Sequence, residues 1–534
     1  MRPVRSVIHY QPDDLIKVFR LHHKNALLIE LIALLLIIML GFLKEIPFFQ
    51  IPAGASILLL LSLLLAPIGA LSYWLRSWAV TAFIALFFIA NLFVKFGFIN
   101  HRNKAFGMDY HNPAPYNLAA IEAAVTPEIM AQDHSTGLQM LENWKRKVAP
   151  YYHPLQKPPL ILVNASGGGL KASLWAFRLM QIADSCTNNR FFDHCVFISG
   201  ASGGMMGMAY YRELYRSKKL GDSVNLNDKH YVDNISKDIL NAVSFTYVVN
   251  DLLFPWQRFT VNGFTYRKDR GYIFEKRFNQ NTGYIMDKTL ADYAPFEKDA
   301  TIPIMMFSPT IIDDGRRLLL SSTPMSYLTE SPQRKDSTNE MKIDGIGLHS
   351  FFGKQNGANL PFMTAVRMNS TFPYVMPNIY LPTKPEVQAM DAGLRDNYGF
   401  ETSYRFLYEF KDWINKNTSR VIIVQARGDY EKDYEPIVNE HPSLIQKLLD
   451  PVSSLFAIWS DFHDYHQDEL TGYAGSWLTV DLNMLSFEYV PAQKENEASM
   501  SFHLTTREKQ SILSTIDNAE NHAKLNRLVV LLSH

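Results

Sequence analysis

Three apolar runs within residues 25–99 constrain the fold more than any other feature of the chain. They extend from Asn25 to Leu43, from Pro52 to Leu75 and from Ser77 to Phe98. At about 1.5 Å per residue, a helix over each run is long enough to cross about 30 Å of hydrocarbon. Core helices of a soluble domain are the alternative, but such helices nearly always keep a polar face, which these runs lack. The sequence therefore predicts three transmembrane helices after a basic N-terminal segment at residues 1–24.

The charges beside the predicted spans indicate their orientation. Lysine and arginine are concentrated before the first span, and Arg76 lies between the second and third, so this side is predicted to face the cytoplasm. The opposite side carries Lys44, Lys95, Arg102 and Lys104. With three spans, everything after about residue 100 lies on the non-cytoplasmic, periplasmic side. We therefore expect a multi-pass integral membrane protein whose partner is the lipid bilayer.

The charge balance and the cysteines bear on the binding partners of the protein and on its cellular compartment. Lysine plus arginine and aspartate plus glutamate number 52 each, so the net charge gives no attraction to nucleic acid. The two cysteines, Cys186 and Cys195, flank the segment CTNNRFFDHC. A disulfide between them fits an oxidising compartment, and two buried thiols fit the sequence equally well.

The pattern after residue 100 predicts a helical neck and then an α/β domain. Residues 100–157 have helical periodicity and end in the Pro-rich stretch YYHPLQKPP. In residues 158–534, strand-length apolar runs alternate with helical stretches; the clearest strands are PLILVNA, CVFISGA, IPIMMFSPTII with RRLLLSS, and SRVIIVQAR. This alternation is typical of a mainly parallel sheet with helices on both faces, a three-layer α/β/α arrangement. We expect a helical insertion at about 220–300 and two amphipathic helices at the C-terminal end.

The stretch LILVNASGGGLKAS predicts a buried strand, a glycine loop at Gly167, Gly168 and Gly169, and the start of a helix. Bare backbone N–H groups at a helix N-terminus attract a nucleotide phosphate, a dinucleotide pyrophosphate or the oxyanion of an acyl-transfer intermediate. A phosphate-binding P-loop is excluded, because Leu170 separates the last glycine from Lys171. A dinucleotide fingerprint fits the glycines but lacks an acidic residue at the end of the second strand, so it is the lesser alternative.

A second glycine-rich motif helps to decide between these ligands. The residues Gly200–Gly204 fit G-x-S-x-G between an apolar strand and a helix, which is the context of a nucleophile elbow around Ser202. Small residues allow the sharp turn that lifts the serine Oγ above the sheet edge. Backbone N–H groups of Gly168, Gly169 and Gly203 are then expected to converge on one carbonyl oxygen, each worth about 3 kcal/mol in the transition state. The two motifs together favour acyl transfer.

A serine nucleophile needs a base, and the stretch VQAMDAGLRDNYGF offers one. Asp391 ends a short apolar run and precedes Gly393, at another strand-to-loop edge where a carboxylate can lie over the sheet. The trio SGGGLKAS, GASGG and DAGLRDN resembles the patatin-like phospholipase family, over roughly residues 158–430. The signature of that family is a glycine-rich oxyanion loop, a G-x-S-x-G serine and a D-G-[GA] aspartate, in that order.

The resemblance implies a three-layer α/β/α patatin-like fold and a Ser–Asp dyad without histidine. In that scheme Ser202 is the nucleophile, Asp391 is its partner, and Gly167–Gly169 form the oxyanion loop. Asn397 matches an asparagine that often follows the family's aspartate.

Three residues depart from the family pattern. Ala392 and Ala172 stand where glycine is usual, and Lys171 stands where arginine is more common. Ala392 would be strained if its position required a positive φ. Lys171 is equally suited to orient a substrate phosphate or to lie in solvent.

A Ser–Asp dyad requires an aspartate whose pKa is raised. An aspartate with an ordinary pKa of about 4 is a weak base at neutral pH, so burial must raise its pKa. An α/β-hydrolase triad is the alternative, and its candidate histidines are His194, His349, His441, His463, His466 and His503. No metal or cofactor is expected, because His463 and His466 lack an accompanying ligand constellation.

The sequence as a whole predicts a membrane-anchored serine lipid acyl hydrolase. A site tethered beside a bilayer meets acyl esters at high local concentration, which favours phospholipid or lysophospholipid as the substrate. An acyltransferase that forms the same acyl-enzyme and a catalytically silent membrane scaffold are the alternatives.

Overall fold

The structure is a computed structural model, and it describes residues 11–96, 102–330, 343–372, 375–430 and 462–533. The chain forms two compact units. The first contains the residues up to Arg102 together with two later segments, Leu240–Arg258 and Arg267–Ile273. The second contains the remaining residues from Asn103 onward.

Helices make up most of the regular structure. In chain order they are α1 (Pro12–Leu43), α2 (Ala53–Leu75), α3 (Ala79–Lys95), α4 (Leu118–Ala123), α5 (Pro127–Val148), α6 (Gly169–Cys186), α7 (Phe191–His194), α8 (Ser202–Lys219), α9 (Lys229–Ile235), α10 (Leu240–Thr246), α11 (Arg270–Asn281), α12 (Leu290–Lys298), α13 (Leu348–Phe352), α14 (Phe362–Met368), α15 (Phe400–Glu409), α16 (Lys411–Asn417), α17 (462–474), α18 (Thr506–Ser514) and α19 (Ala519–Ser533). The two C-terminal helices predicted from the sequence are among them, and the predicted neck region at 100–157 contains α4 and α5 after two short strands.

The strands are shorter and are concentrated in the second unit. They are β1 (Asn103–Lys104), β2 (Ala114–Pro115), β3 (Leu160–Ala165), β4 (Cys195–Gly200), β5 (Arg258–Val261), β6 (Phe264–Arg267), β7 (Ile304–Phe307), β8 (Thr310–Ile311), β9 (Arg317–Leu319), β10 (Gly345–Gly347), β11 (Ile379–Tyr380), β12 (Thr383–Lys384), β13 (Gln388–Met390), β14 (Arg420–Arg427) and β15 (Asp481–Glu488). All four strand regions expected from the sequence are present.

The first unit is dominated by α1, α2 and α3, which expose large apolar side chains. Leu58 is 68% exposed and Phe87 is 70% exposed. Of the residues that the structure describes, one helical stretch, Arg76–Phe93, is both long enough and apolar enough to cross a bilayer. The apolar stretches Leu28–Leu43 and Ala53–Leu65 are shorter. The structure thus supports one of the three predicted spans, and the three-span arrangement stays a prediction.

The main sheet of the second unit has the strand order β15-β14-β3-β4-β7, with every neighbouring pair parallel. β3 and β4 are buried over their whole length, as near-continuous apolar strands are when both faces are covered. Leu160 and Leu162 of β3 pack with residues of α5 and α15 on one face. The alternate residues Ile161 and Val163 are fully buried toward the opposite face. The fold is therefore mixed α/β with a covered parallel sheet, as predicted.

A second sheet has six short strands in the order β1-β11-β13-β8-β9-β10, with mixed pairing. β13 ends at Met390, so its carboxyl end presents Asp391. β10 to β13 have two or three residues each, which is too short to give an alternating pattern in the sequence.

The predicted helical insertion at 220–300 needs correction. Its middle contains a hairpin of β5 and β6. The turn residues Asn262 and Gly263 have φ of 51° and 81°, and an Asn-Gly pair is the usual sequence for such a turn. In addition, Leu240–Arg258 belongs to the first unit, whereas the sequence predicts it within the sheet domain.

Candidate active site

The turn between β4 and α8 places Ser202 at the first position of α8. Its φ is +48°, a left-handed conformation that costs an ordinary residue on the order of 1 to 2 kcal/mol. A side chain at Gly203 would overlap the carbonyl oxygen of Gly169, so this neighbour must be glycine. The strained serine and its glycine are the geometry expected of a nucleophile elbow.

Asn369 holds the elbow from outside the motif. Its Nδ2 donates to the Gly200 carbonyl oxygen at 3.0 Å, and its own carbonyl oxygen accepts the Ser202 N–H at 3.0 Å. Its Oδ1 accepts the Ser308 N–H at 2.9 Å, and the side chain is fully buried. The sequence does not predict this role for Asn369, because a single asparagine after α14 belongs to no recognisable motif.

The glycine loop lies beside Ser202, where the oxyanion hypothesis requires it. Gly168 and Gly169 have φ of 138° and 61°. A side chain on Gly167 would come within 3.4 Å of the Ser202 Cβ. The Gly203 N–H is among the first donors of α8, which have no acceptor inside their own helix. The structure thus brings Gly167–Gly169, Ser202 and Gly203 together.

Two contacts fix the shape of this loop. The Gly167 N–H donates to the Oδ1 of Asn397 at 3.1 Å. The Leu170 N–H donates to the carbonyl oxygen of Ser501 at 2.8 Å. A side chain on Gly169 would lie 2.6 Å from that same oxygen, so the backbone of residue 501 packs directly on the loop. The role of Ser501 comes from its backbone and leaves no trace in the sequence.

Asp391 follows β13 and carries a buried carboxyl group that is 5% exposed. Its Oδ1 accepts the Gly393 N–H at 2.8 Å. Burial raises the pKa of this carboxyl to about 6, against smaller lowering effects of the Gly393 N–H and the Ser202 hydroxyl. Its other oxygen, Oδ2, is buried and makes no hydrogen bond of good geometry to any described residue. Asp391 thus has one oxygen fixed and one available, close to Ser202.

Ala392 is not strained. It begins a single 3-10 turn, it is fully buried, and it is not among the residues with positive φ. Alanine therefore has no conformational cost at this position.

The segment after Asp391 is held by charged and capping contacts. Both oxygens of Asp396 accept N–H groups at the start of α15, from Glu401 and Thr402. The Arg395 guanidinium pairs with Asp344 at 2.6 Å and with Glu401 at 2.8 Å. These contacts hold both ends of the loop that carries Asn397.

Lys171 is only 6% exposed, so its alternative placement in solvent is wrong. Its Nζ lies 5.6 Å from the centre of the Tyr489 ring. Its charge also lowers the pKa of Asp429, whose carboxyl pKa is raised overall by burial. A contact of Lys171 with a substrate phosphate stays a prediction.

The described histidines that were candidates for a triad have partners elsewhere. His194 bonds to Tyr152 and to the Arg190 carbonyl oxygen, and burial lowers its pKa to about 4. The other histidine contacts are His349 with the Ser321 carbonyl oxygen, His463 with the Arg395 carbonyl oxygen, His466 with the Phe462 ring and His503 with Asp238. His441 lies outside the described residues.

The two cysteines do not form a disulfide. Cys186 is exposed at the end of α6, and Cys195 is buried at the start of β4; both are free thiols. The short helix α7 lies between them and directs the chain into β4. Within the described ranges, no three His, Cys, Asp or Glu side chains are grouped as metal ligands.

We expect Asn397→Ala to weaken catalysis through the glycine loop. Without its Oδ1, the Gly167 N–H loses the acceptor that orients the loop beside Ser202. Since one oxyanion donor is typically worth 10²- to 10³-fold in kcat, a misplaced loop should lower kcat by about tenfold or more and change KM little. Steady-state kinetics on a short-chain ester measure both constants.

The exposed Asn526→Ala in α19 is the control. An Asn397→Ala protein with unchanged kcat and unchanged folding would show that the loop needs no such support.

No protein-family profile and no curated protein matches the sequence. Solved structures with partial similarity include human GIVD cytosolic phospholipase A2 in complex with methyl gamma-linolenyl fluorophosphonate, and VipD from Legionella pneumophila. The human protein has a TM-score of 0.37 at 12% identity, with 76% of this chain and 64% of that chain covered. VipD has a TM-score of 0.28 at 13% identity, with 71% and 67% covered. The chain therefore spans less than two thirds of the human protein.

Proposed function

We propose that this chain is a membrane-anchored serine lipid acyl hydrolase of the patatin-like type, with Ser202 as nucleophile and Asp391 as its base. The observation that carries the proposal is the left-handed Ser202 at a strand-to-helix turn beside a buried carboxyl group with one unpaired oxygen. A strained backbone and a buried carboxyl group are costly in an ordinary fold, and both are what a serine nucleophile requires.

The reaction follows from these positions. The Asp391 carboxylate accepts the Ser202 proton as Oγ attacks the ester carbonyl carbon, and the carbonyl oxygen becomes an oxyanion. Backbone N–H groups of Gly168, Gly169 and Gly203 stabilise that oxyanion. The proton passes to the leaving alcohol as the acyl-enzyme forms. Water then attacks the acyl-enzyme, loses its proton to Asp391 and releases the fatty acid, and Ser202 regains its proton.

The pKa of Asp391 suits this role. A base works best when its pKa is close to the working pH. Burial raises the Asp391 pKa to about 6, whereas an exposed aspartate is a weaker base. The dyad therefore needs no histidine.

The first unit supports lipid as the substrate class. Its helices expose apolar side chains such as Leu58 and Phe87 that water would not solvate. A hydrolase tethered to a bilayer meets acyl esters at high local concentration. Phospholipids and lysophospholipids are therefore the proposed substrates.

Contacts within the first unit support two membrane crossings by α2 and α3. The Oδ1 of Asn241 accepts the Ala53 N–H at the start of α2, at 2.8 Å. The sequence between Lys95 and Asn241 has no further apolar run of spanning length, so that part of the chain stays on one side. The start of α2 and the end of α3 then lie on the same side, as they do when both helices cross. With α1 crossing too, the basic N-terminus lies opposite.

A pair of reporter fusions tests this topology. We expect alkaline phosphatase fused after Ala105 to be active, because the proposed topology puts that position on the non-cytoplasmic side. The same reporter fused after Arg76, between α2 and α3, should be inactive. The reverse pattern would contradict the proposed orientation.

Labelling with a fluorophosphonate tests the enzymatic proposal on the full chain in detergent. We expect mass spectrometry to find one adduct, on Ser202, and lysophosphatidylcholine to release free fatty acid. Acyl transfer to an added lipid alcohol in place of fatty acid release would favour the acyltransferase. No adduct on Ser202 would favour a silent scaffold and contradict the proposal.

A further inference from the structure

The segment Leu240–Arg258 leaves the sheet domain and packs on α1 and α2. Phe245 and Val249 form a buried apolar cluster with Ile37 of α1. The packing is close, because a side chain added at Gly41 would overlap the Val249 side chain. This segment therefore has its packing partners among the N-terminal apolar helices.

The residues in these contacts show how far from the α1–α2 connection the segment packs. Ile37 lies six residues before the end of α1, and Leu59, which packs against the cluster, lies six residues after the start of α2. At 1.5 Å per residue, both are about 9 Å from the connection between the two helices. Amphipathic segments at the boundary of headgroups and acyl chains lie about 5–10 Å deep. The segment is thus at the level of the membrane interface if α1 and α2 span.

The side of the segment away from the cluster is apolar and exposed. Leu252 is 43% exposed and Trp256 is 70% exposed, and Phe48 in the connection between α1 and α2 is 88% exposed. Tryptophan with neighbouring large apolar residues is typical of the membrane interface. In water, these exposed apolar side chains would be poorly solvated.

Two ion pairs lie beside the segment, and pairing lowers the cost of placing these charges near the headgroups. Asp251 pairs with Arg270 at 2.6 Å, and Glu45 pairs with Lys268 at 2.6 Å. All four lie in the first unit. Paired charges near headgroups cost much less than isolated ones in hydrocarbon.

We propose that Leu240–Arg258 is a second, interfacial membrane contact, in which Leu252 and Trp256 insert among the lipid headgroups and upper acyl chains. The partner is the bilayer itself. This inference rests on the membrane anchoring included in the proposed function, and it adds that a segment far along the chain joins the N-terminal helices in contacting lipid.

Nitroxide labels on the full chain in phosphatidylcholine nanodiscs test the inference. The background carries Cys186→Ser, because Cys186 is the exposed thiol. Labels go on Leu252→Cys and Trp256→Cys, and the measured quantity is the ratio of collision rates with oxygen and with a water-soluble nickel chelate. Leu220→Cys, 52% exposed at the end of α8, is the aqueous reference, and Phe87→Cys in α3 is the hydrocarbon reference.

We expect the ratio at both test positions to exceed that at residue 220 by several-fold and to lie below that at residue 87. Ratios at 252 and 256 equal to the aqueous reference, with a high ratio at 87, would overturn this inference and leave the anchor intact. If the ratio at residue 87 also equals that of the aqueous reference, both the membrane anchoring and this inference are overturned. Ser202 reactivity is independent of either result.

A second variant tests the packing that sets the depth. Gly41→Leu should push Val249 away from α1 and lower the collision ratio at a label on residue 256. Gly69→Leu in α2 is the matched control, because no atom lies within 4 Å of a side chain added there. An equal ratio in both variants would show that the segment does not depend on α1 for its position and would contradict the proposal.

Discussion

Ser202→Ala is expected to abolish ester hydrolysis and fluorophosphonate labelling while leaving the chain folded. The substitution removes the only side-chain oxygen among the elbow residues Gly200–Gly204. Loss of a serine nucleophile costs on the order of 10⁴-fold or more in kcat, because the remaining donors stabilise only a direct attack by water. The fold should not suffer, since alanine fits any site that holds serine.

Ser217→Ala is the matched control, because Ser217 lies in the same helix α8 and faces partly into solvent. Hydrolysis of a short-chain ester and thermal unfolding should be measured for both variants. Turnover in folded Ser202→Ala that is comparable to the control would end the assignment of Ser202.

Asp391→Asn is expected to lower kcat by on the order of 10³- to 10⁴-fold, the loss typical when a catalytic aspartate becomes an amide. The amide cannot accept the Ser202 proton, although it preserves the size of the side chain. In the native chain, kcat/KM should rise with pH through about 6 and level off above it, because only the carboxylate is a base.

The same substitution should stabilise the fold at alkaline pH. Burial raises the Asp391 pKa from 3.8 to about 6, so the folded state binds the proton more tightly than the unfolded state. The stability that the protonated Asp391 carboxyl contributes is fully present below pH 3.8, and it is lost as the pH rises from 3.8 through 6. Above pH 6 the buried carboxylate costs up to about 3 kcal/mol, which a neutral asparagine avoids.

Thermal unfolding at pH 5 and pH 8 measures this effect. We expect Asp391→Asn to unfold at a higher temperature than the native chain at pH 8 and to do so by a smaller margin at pH 5, which lies between the unfolded and folded pKa values of Asp391. Asp287→Asn, at an exposed position, is the control for both kinetics and stability. A kcat within tenfold of the native value would exclude Asp391 as the base, and an equal loss from a single histidine variant would favour a triad.

Local motifs predicted the strand-to-helix turns at the candidate site, because each turn depends on neighbouring residues; the catalytic roles of these residues stay predictions. The elbow around Ser202 and the Gly167–Gly169 loop follow strands β3 and β4, whose apolar sequences indicate burial on both faces. Asp391 could be located because a short apolar run precedes it. In each case the backbone conformation is set within about ten residues.

The residues that hold the site in place come from distant parts of the chain and form no recognisable sequence pattern. Asn369 reaches Gly200 over 169 residues, and the Ser501 carbonyl oxygen meets the Leu170 N–H through the backbone alone. The strand β15 was missed because it is an edge strand with partly exposed, mixed residues. The docking of Leu240–Arg258 on α1 was missed because a buried patch on one helix does not reveal which other helix covers it.

That docking also limits how the second unit can be prepared for study in water. Deleting the anchor is the usual route to a soluble fragment of a tethered enzyme. A fragment starting at Asn103 would keep Phe245 and Val249 but lose Ile37, their partner in the buried cluster. The uncovered patch would promote aggregation. A usable fragment would need polar replacements at Phe245, Val249 and Leu252 as well as the deletion.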